Sequence, residues 1–198
     1  ALNNLGVVAD SQGEYTRATR CYEEAMRIYL EINNRWGQGY VLNNLAFVFR
    51  CQGDYATARD YCEQAIALRQ AIGDQDGESE GLAFLGLIRH HQNAHDEAWA
   101  AAQAAVQIAR ELGARPQLGY ALTCLGHTEV ALGRLTEASA SYSEAAQIRQ
   151  AIGEQARAME PLAGLARVAL LKGDLVTAYT HVTPILQHLA HGTLDGTE

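Results

Sequence analysis

Glycine or asparagine falls every 20 residues along this chain, at Gly13, Asn33, Gly53, Gly73, Asn93, Gly113, Gly133, Gly153 and Gly173. These residue types tolerate the left-handed backbone that ends a helix. Stops at one fixed spacing leave room for one short helix between each pair. The intervening residues agree. Apolar side chains recur at spacings of three and four, as in Tyr55, Ala58, Cys62, Ala65 and Leu68. That is one face of a helix, not the alternation of a strand. The chain therefore reads as ten helices joined by tight turns.

A coarser period of 40 residues lies over this beat, and the whole chain fits it without an insertion. One register column holds Leu2, Leu42, Leu82, Leu122 and Leu162, and another Leu5, Leu45, Leu85, Leu125 and Leu165. Small residues fill two more: Gly6, Ala46, Gly86, Gly126 and Ala166, then Ala18, Ala58, Ala98, Ala138 and Ala178. Small side chains at fixed register mark places where two helix backbones approach closely, and a larger residue there would overpack. The string RQAIG, present at Arg69–Gly73 and Arg149–Gly153, is row two matching row four. Its Arg and Gln are expected on the surface near a helix end.

These columns resemble the tetratricopeptide repeat, whose pattern runs W-x2-L-G-x2-Y, then A-x3-F, then P. Row one supplies Leu2, Leu5, Gly6, Ala18, Tyr22 and Ala25, and row four Leu122, Leu125, Gly126, Ala138, Tyr142 and Ala145. Rows two, three and five are weaker, with Cys62, Ala102 and Val182 at the aromatic position. Leu replaces the Trp, and the period is 40 rather than the usual 34 or so, which lengthens the helices. This longer form is similar to the repeats of kinesin light chains and of bacterial multidomain signalling ATPases and transcription activators. The resemblance implies an all-α, right-handed solenoid of five antiparallel helix pairs. The repeats are expected at 1–40, 41–80, 81–120, 121–160 and 161–191, in a single array over 1–191, with 192–198 as a linker or tail. It also implies a non-catalytic scaffold for proteins or peptides, here an interaction or sensor segment of a larger bacterial regulator, cytoplasmic in location. A chain that begins with Ala rather than Met is likewise expected to derive from something longer.

Bulk properties narrow the partners. The net charge is −8, and no basic stripe of the kind that neutralises phosphates is present, so nucleic acid and anionic membranes are not expected partners. No apolar run approaches the roughly 18 residues of a membrane span. Cys21, Cys51, Cys62 and Cys124 form no CxxC pair and read as reduced packing thiols. His90, His91 and His95 cluster in sequence beside Asp96 but straddle a turn, so neither a metal nor a cofactor is expected. No nucleophile with a base and an orienting acid can be assembled, and no enzyme is expected. Pro184 is expected to kink or shorten the last helix.

The concave face of such a solenoid comes mostly from the first helix of each pair. With columns 2, 5, 8 and 9 buried, the opposite side at about 100° per residue is columns 40, 3, 7, 10 and 14. The residues singled out there are Asn3, Tyr40, Asn43, Asn44, Phe47, Arg50, Tyr120, Thr123, His127 and Arg167. An Asn amide offers donor and acceptor together, matching the N–H and C=O of an extended peptide, and the resemblance implies that Asn3, Asn43 and Asn44 clamp one. Tyr and Arg are favoured where binding energy concentrates. No lysine cluster for a C-terminal carboxylate is present. Two other roles stay open. One is small-molecule sensing for an attached ATPase or transcription activator, which needs a closed apolar pocket. The other is self-assembly end to end, since the last helix still presents Ala178, Val182, Ile185 and Leu189 with no polar cap; by the same token the array is expected to continue in the parent protein.

Overall fold

The computed structural model describes residues 1–190, so the expected tail at 192–198 lies outside the described residues. Those residues form α1 (Leu2–Ser11), α2 (Tyr15–Glu31), α3 (Arg35–Cys51), α4 (Tyr55–Ile72) and α5 (Gln75–His91). The chain continues through α6 (His95–Leu112), α7 (Arg115–Ala131), α8 (Leu135–Ala151), α9 (Gln155–Leu171) and α10 (Leu175–Ala190). No strand occurs among them. α10 runs through Pro184 to Ala190, so that proline does not shorten it.

Every expected stop is a left-handed residue, from Asn33 at φ 52° to Gly153 at φ 82°. Each turn closes in the same way. The residue after the stop donates its N–H to a carbonyl five residues back, as in Asp54 to Phe49 (2.9 Å) and Asp74 to Arg69 (2.9 Å). This is the hydrogen bond that satisfies the last carbonyls of a helix. Asn34, Asp54 and Asp74 then accept backbone N–H bonds from Gly37, Thr57 and Gly77, so one short turn caps two helices.

Consecutive helices pack antiparallel into a right-handed solenoid of five pairs. Odd-numbered helices form the inner layer: α1 meets α3, α5 meets α7 and α7 meets α9. The small columns do what their size requires. A Cβ added to Gly126 would come within 2.6 Å of the Tyr142 ring, and one on Gly86 within 3.0 Å of the Ala98 carbonyl. Columns 5 and 8 are buried inside the array at Leu45, Leu85, Ile88, Leu125, Leu165 and Val168. On α1 the same columns, Leu5 and Val8, are 50% and 53% exposed, with no described helix packed over them.

The RQAIG arginines depart from expectation. Arg69 and Arg149 are buried, at 2% and 5% exposure. Arg69 lies over the Tyr40 ring at 5.0 Å and pairs with Asp74 at 3.0 Å; Arg149 pairs with Glu154. Glycines make the space. Gly39 and Gly77 lie against Arg69, and Gly119 against Arg149. The glutamines, Gln70 and Gln150, are exposed as expected.

Candidate interaction surface on the concave face

Two neighbouring clefts line the inner layer. One, of about 320 Å³, is bounded by Asn43, Asn44, Phe47 and Arg50 of α3, Glu80, Phe84 and Leu87 of α5, Tyr120 of α7 and Glu160 of α9. The other, of about 350 Å³, is lined by Pro116, Gln117, Thr123, Arg149 and Arg157 and shares Glu80, Tyr120 and Glu160 with the first. The shared residues make them one continuous trough across three repeats.

The first cleft has an aromatic floor carrying a cation. Phe47 and Phe84 stack with centroids 6.4 Å apart. The Arg50 guanidinium lies 5.2 Å from the Phe47 centroid and 5.6 Å from that of Phe84, a cation–π arrangement that holds it in place. Arg50 Nε and Asn43 Oδ1 are both buried and have no hydrogen-bond partner within the protein. One is a donor and the other an acceptor, and each is costly to leave unmade.

From Glu160, on the second cleft, a hydrogen-bonded string leads back through His127 to Tyr142. The buried Tyr142 hydroxyl lies 2.7 Å from His127 Nδ1, and His127 Nε2 lies 3.2 Å from Glu160 Oε1. The His127 contact holds the Glu160 carboxyl below the usual carboxylate range, while burial pushes the Tyr142 and Tyr120 hydroxyls up. Glu160 therefore presents a charge to the trough at neutral pH. Beside this string sit the rings of His90 and His95, 5.2 Å apart. Burial and the neighbouring imidazoles lower His90 to about 4, so it is neutral at neutral pH. Among the described residues no group of three or more ligating side chains is arranged to hold a metal.

The singled-out residues divide by what they touch. Asn43, Asn44, Phe47, Arg50, Tyr120 and His127 gather on the trough or beside it. Asn44 is already engaged, donating to Asn3 Oδ1 at 2.9 Å, so these two asparagines tie α1 to α3 and part of the clamp is spent internally. Tyr40 covers Arg69. Thr123 lines the second cleft but is 3% exposed, and its hydroxyl donates to the Gly119 carbonyl at 2.8 Å. Arg167 is exposed on α9 and bounds neither cleft. Phe84, Arg149 and Arg157 were not singled out because their register positions, 4, 29 and 37, lie outside the columns taken as concave.

Two tetratricopeptide repeat models match the sequence, over residues 1–35 and 38–111. The chain belongs to the tetratricopeptide repeat family. No curated protein matches the sequence, but its fold has many solved relatives. The BtubC (BKLC) structure from P. vanneervenii is similar at TM-score 0.79 and 17% identity, over 100% of this chain and 82% of that one. A Rap protein complexed with Competence and Sporulation Factor is similar at TM-score 0.86 and 17% identity, over 96% of this chain and 53% of that one. A signal transduction ATPase with numerous domains and a tetratricopeptide repeat sensor, from Pyrococcus horikoshii, gives 0.75 and 17% over 97% and 30%. This repeat array thus spans about half of the Rap chain and under a third of the ATPase. Among the described residues no helix is long and apolar enough to cross a membrane.

Proposed function

We propose that this tetratricopeptide repeat array is a non-catalytic scaffold that holds an extended peptide or protein segment in the concave trough. The observation that carries the reading is the unpaired donor and acceptor, Arg50 Nε and Asn43 Oδ1, on one aromatic cleft. A backbone amide supplies the complement to both: its C=O accepts from Arg50 and its N–H donates to Asn43. Phe47 and Tyr120 offer stacking area beside it, and Phe47 is 39% exposed. An open trough of this kind suits an extended chain better than a small molecule, which favours enclosure. The Rap relative, solved in complex with Competence and Sporulation Factor, and the ATPase with a tetratricopeptide repeat sensor support an interaction role in a regulatory protein.

The test is binding of a fluorescent random-sequence peptide library to the purified chain, followed by Asn43→Ala and Arg50→Ala on the selected peptides. Each substitution is expected to weaken binding about tenfold, the order expected for a lost hydrogen bond to a charged or buried group. Unchanged affinity in both variants would remove the trough as the site. A second reading, assembly through the ends, has its own observation: α10 leaves Leu175, Tyr179, Leu186 and Leu189 more than half exposed along one face.

A further inference from the structure

The outer side of the solenoid has gaps between successive second helices, and the chain closes them in different ways. Between α2 and α4, Tyr61 stacks on Phe49 with centroids 5.5 Å apart and lines a cleft of about 390 Å³. Between α4 and α6, Arg89 reaches Glu63 on one side at 3.2 Å and Glu97 on the other at 2.9 Å. Between α6 and α8 the aromatic stack and the central arginine are both absent, and an exposed ion pair, Arg110 to Glu144, crosses the gap. The register positions of Phe49 and Tyr61 are taken by Glu129 and Ser141, and a cleft of about 810 Å³ remains.

The chemistry of that third gap is lopsided. Trp99, Val106, Leu122 and Leu125 give it an apolar floor, and Glu111, Glu129, Glu137 and Glu144 surround it. Its one lining cation, Arg110, is tied to Glu144 at 2.6 Å. Glu129 is 5% exposed and accepts a hydrogen bond from Ser141 at 2.7 Å, but no cation pairs with it. Arg134 lies instead over the Trp99 ring at 4.5 Å. Burial pushes the Glu129 carboxyl up and Glu137 adds to this, while the Ser141 hydrogen bond and the Arg134 charge act against it. Where row three has Arg89, with Glu97 as its acid, row four has Glu129, with Glu137 in the place of Glu97. The acid is repeated and the arginine is not, and Arg134 acts on Glu129 only from a distance. A buried carboxylate with no cation in contact costs stability that an incoming cation would recover.

We propose that this outer cleft docks a basic amphipathic helix of a partner protein, its Arg or Lys set against Glu129 and Glu137 and its aliphatic side chains on Trp99, Val106, Leu122 and Leu125. The charge complementarity selects a basic partner. The walls select a helix: they are helices whose backbone groups are already paired, so nothing there can pair with a strand, and the occupant satisfies its own backbone. The lining runs from Trp99 to Glu111 along α6, about 18 Å at the helical rise, which accommodates about three turns. This surface lies opposite the concave trough and does not depend on what the trough binds.

Trp36 and Trp99 are the two tryptophans, so the variant Trp36→Phe makes Trp99 a reporter on the cleft floor. The probe is a synthetic 15-residue helical peptide with Leu at i, i+3, i+4 and i+7 spacing and Arg between; its twin carries Glu in place of each Arg. A saturable change in Trp99 emission with the basic peptide, weaker at high salt and absent with the acidic twin, is expected. Glu129→Gln with Glu137→Gln is expected to weaken it about tenfold. Glu129→Phe with Ser141→Tyr, which transplants the Phe49–Tyr61 stack, is expected to abolish it by filling the cleft. Circular dichroism checks that each variant is folded, and Glu137→Gln alone serves if changes at Glu129 disturb folding. Asn43→Ala and Arg50→Ala are expected to leave this binding unchanged. The proposal is overturned if no saturable change occurs, if the acidic twin binds as well, if the folded cleft variants bind like the parent, or if the trough variants weaken binding as much as they do.

Discussion

Arg69 needs a counter-charge wherever it is buried, and Asp74 supplies it at 3.0 Å. The same carboxylate accepts the Gly77 N–H at 3.0 Å, capping α5. Asp74→Ala therefore leaves a buried guanidinium unpaired and a helix uncapped, with an expected loss of about 3–5 kcal/mol. Glu154→Ala, the equivalent change beside Arg149, is expected to cost less, because Glu154 caps no backbone amide and its side chain is 26% exposed. Urea melts of the two variants measure the difference, and equal losses would assign the cap no share. The burial of these arginines was not legible from residue type, since arginine is rarely buried. A signal for it did exist. Gly37 faces Tyr29 and Gly77 faces Arg69, while Ala109, at the same register as Tyr29 and Arg69, is followed by Gln117 where they are followed by glycine. In rows one and two large side chains sit opposite glycines, a complementarity readable in the sequence for Arg69 but not for Arg149, which is followed by Arg157 and lies against Gly119 instead.

Helix by helix, the fold was almost fully legible because each boundary is set locally. A left-handed Gly or Asn and the five-residue hydrogen bond behind it need no help from distant residues. The close approaches were legible too, and they carry a test. Gly126→Leu and Ala98→Leu should each destabilise the chain by about 1–3 kcal/mol, because the first collides with the Tyr142 ring and the second enlarges a residue that is 0% exposed. Thermal melts by circular dichroism check this, and unchanged midpoints would refute the packing account. The concave residues were legible only as a direction. A helical wheel says which way Asn43 and Thr123 point, but not whether the next first helix covers them. α5, α7 and α9 pack closely enough to leave Thr123 only 3% exposed at the edge of the second cleft, while Asn43 bounds the first. Phe84 and Glu160 reach the cleft from other repeats, a meeting that no periodicity within one row encodes.

For the molecule as a whole, each repeat is held mainly by its immediate neighbours, so stability is a sum of local units and interfaces. The first and last described helices leave apolar side chains uncovered, Leu5 and Val8 on α1 and Leu186 and Leu189 on α10. Association of these ends would repeat the internal junction, in which the same columns are covered. Light scattering should show mass rising with concentration, and Leu186→Lys with Leu189→Lys should suppress the rise; a strictly monomeric parent chain would exclude assembly through α10. The trough has a different consequence. Asn43 lies in the second repeat, Tyr120 ends the third and Glu160 ends the fourth. A single guest lying along it would act as a tie-rod through a stack of separately hinged plates. Units that could otherwise open one at a time would have to open together, so occupancy would register as a sharper melting transition and as slowed amide exchange in helices the guest never touches.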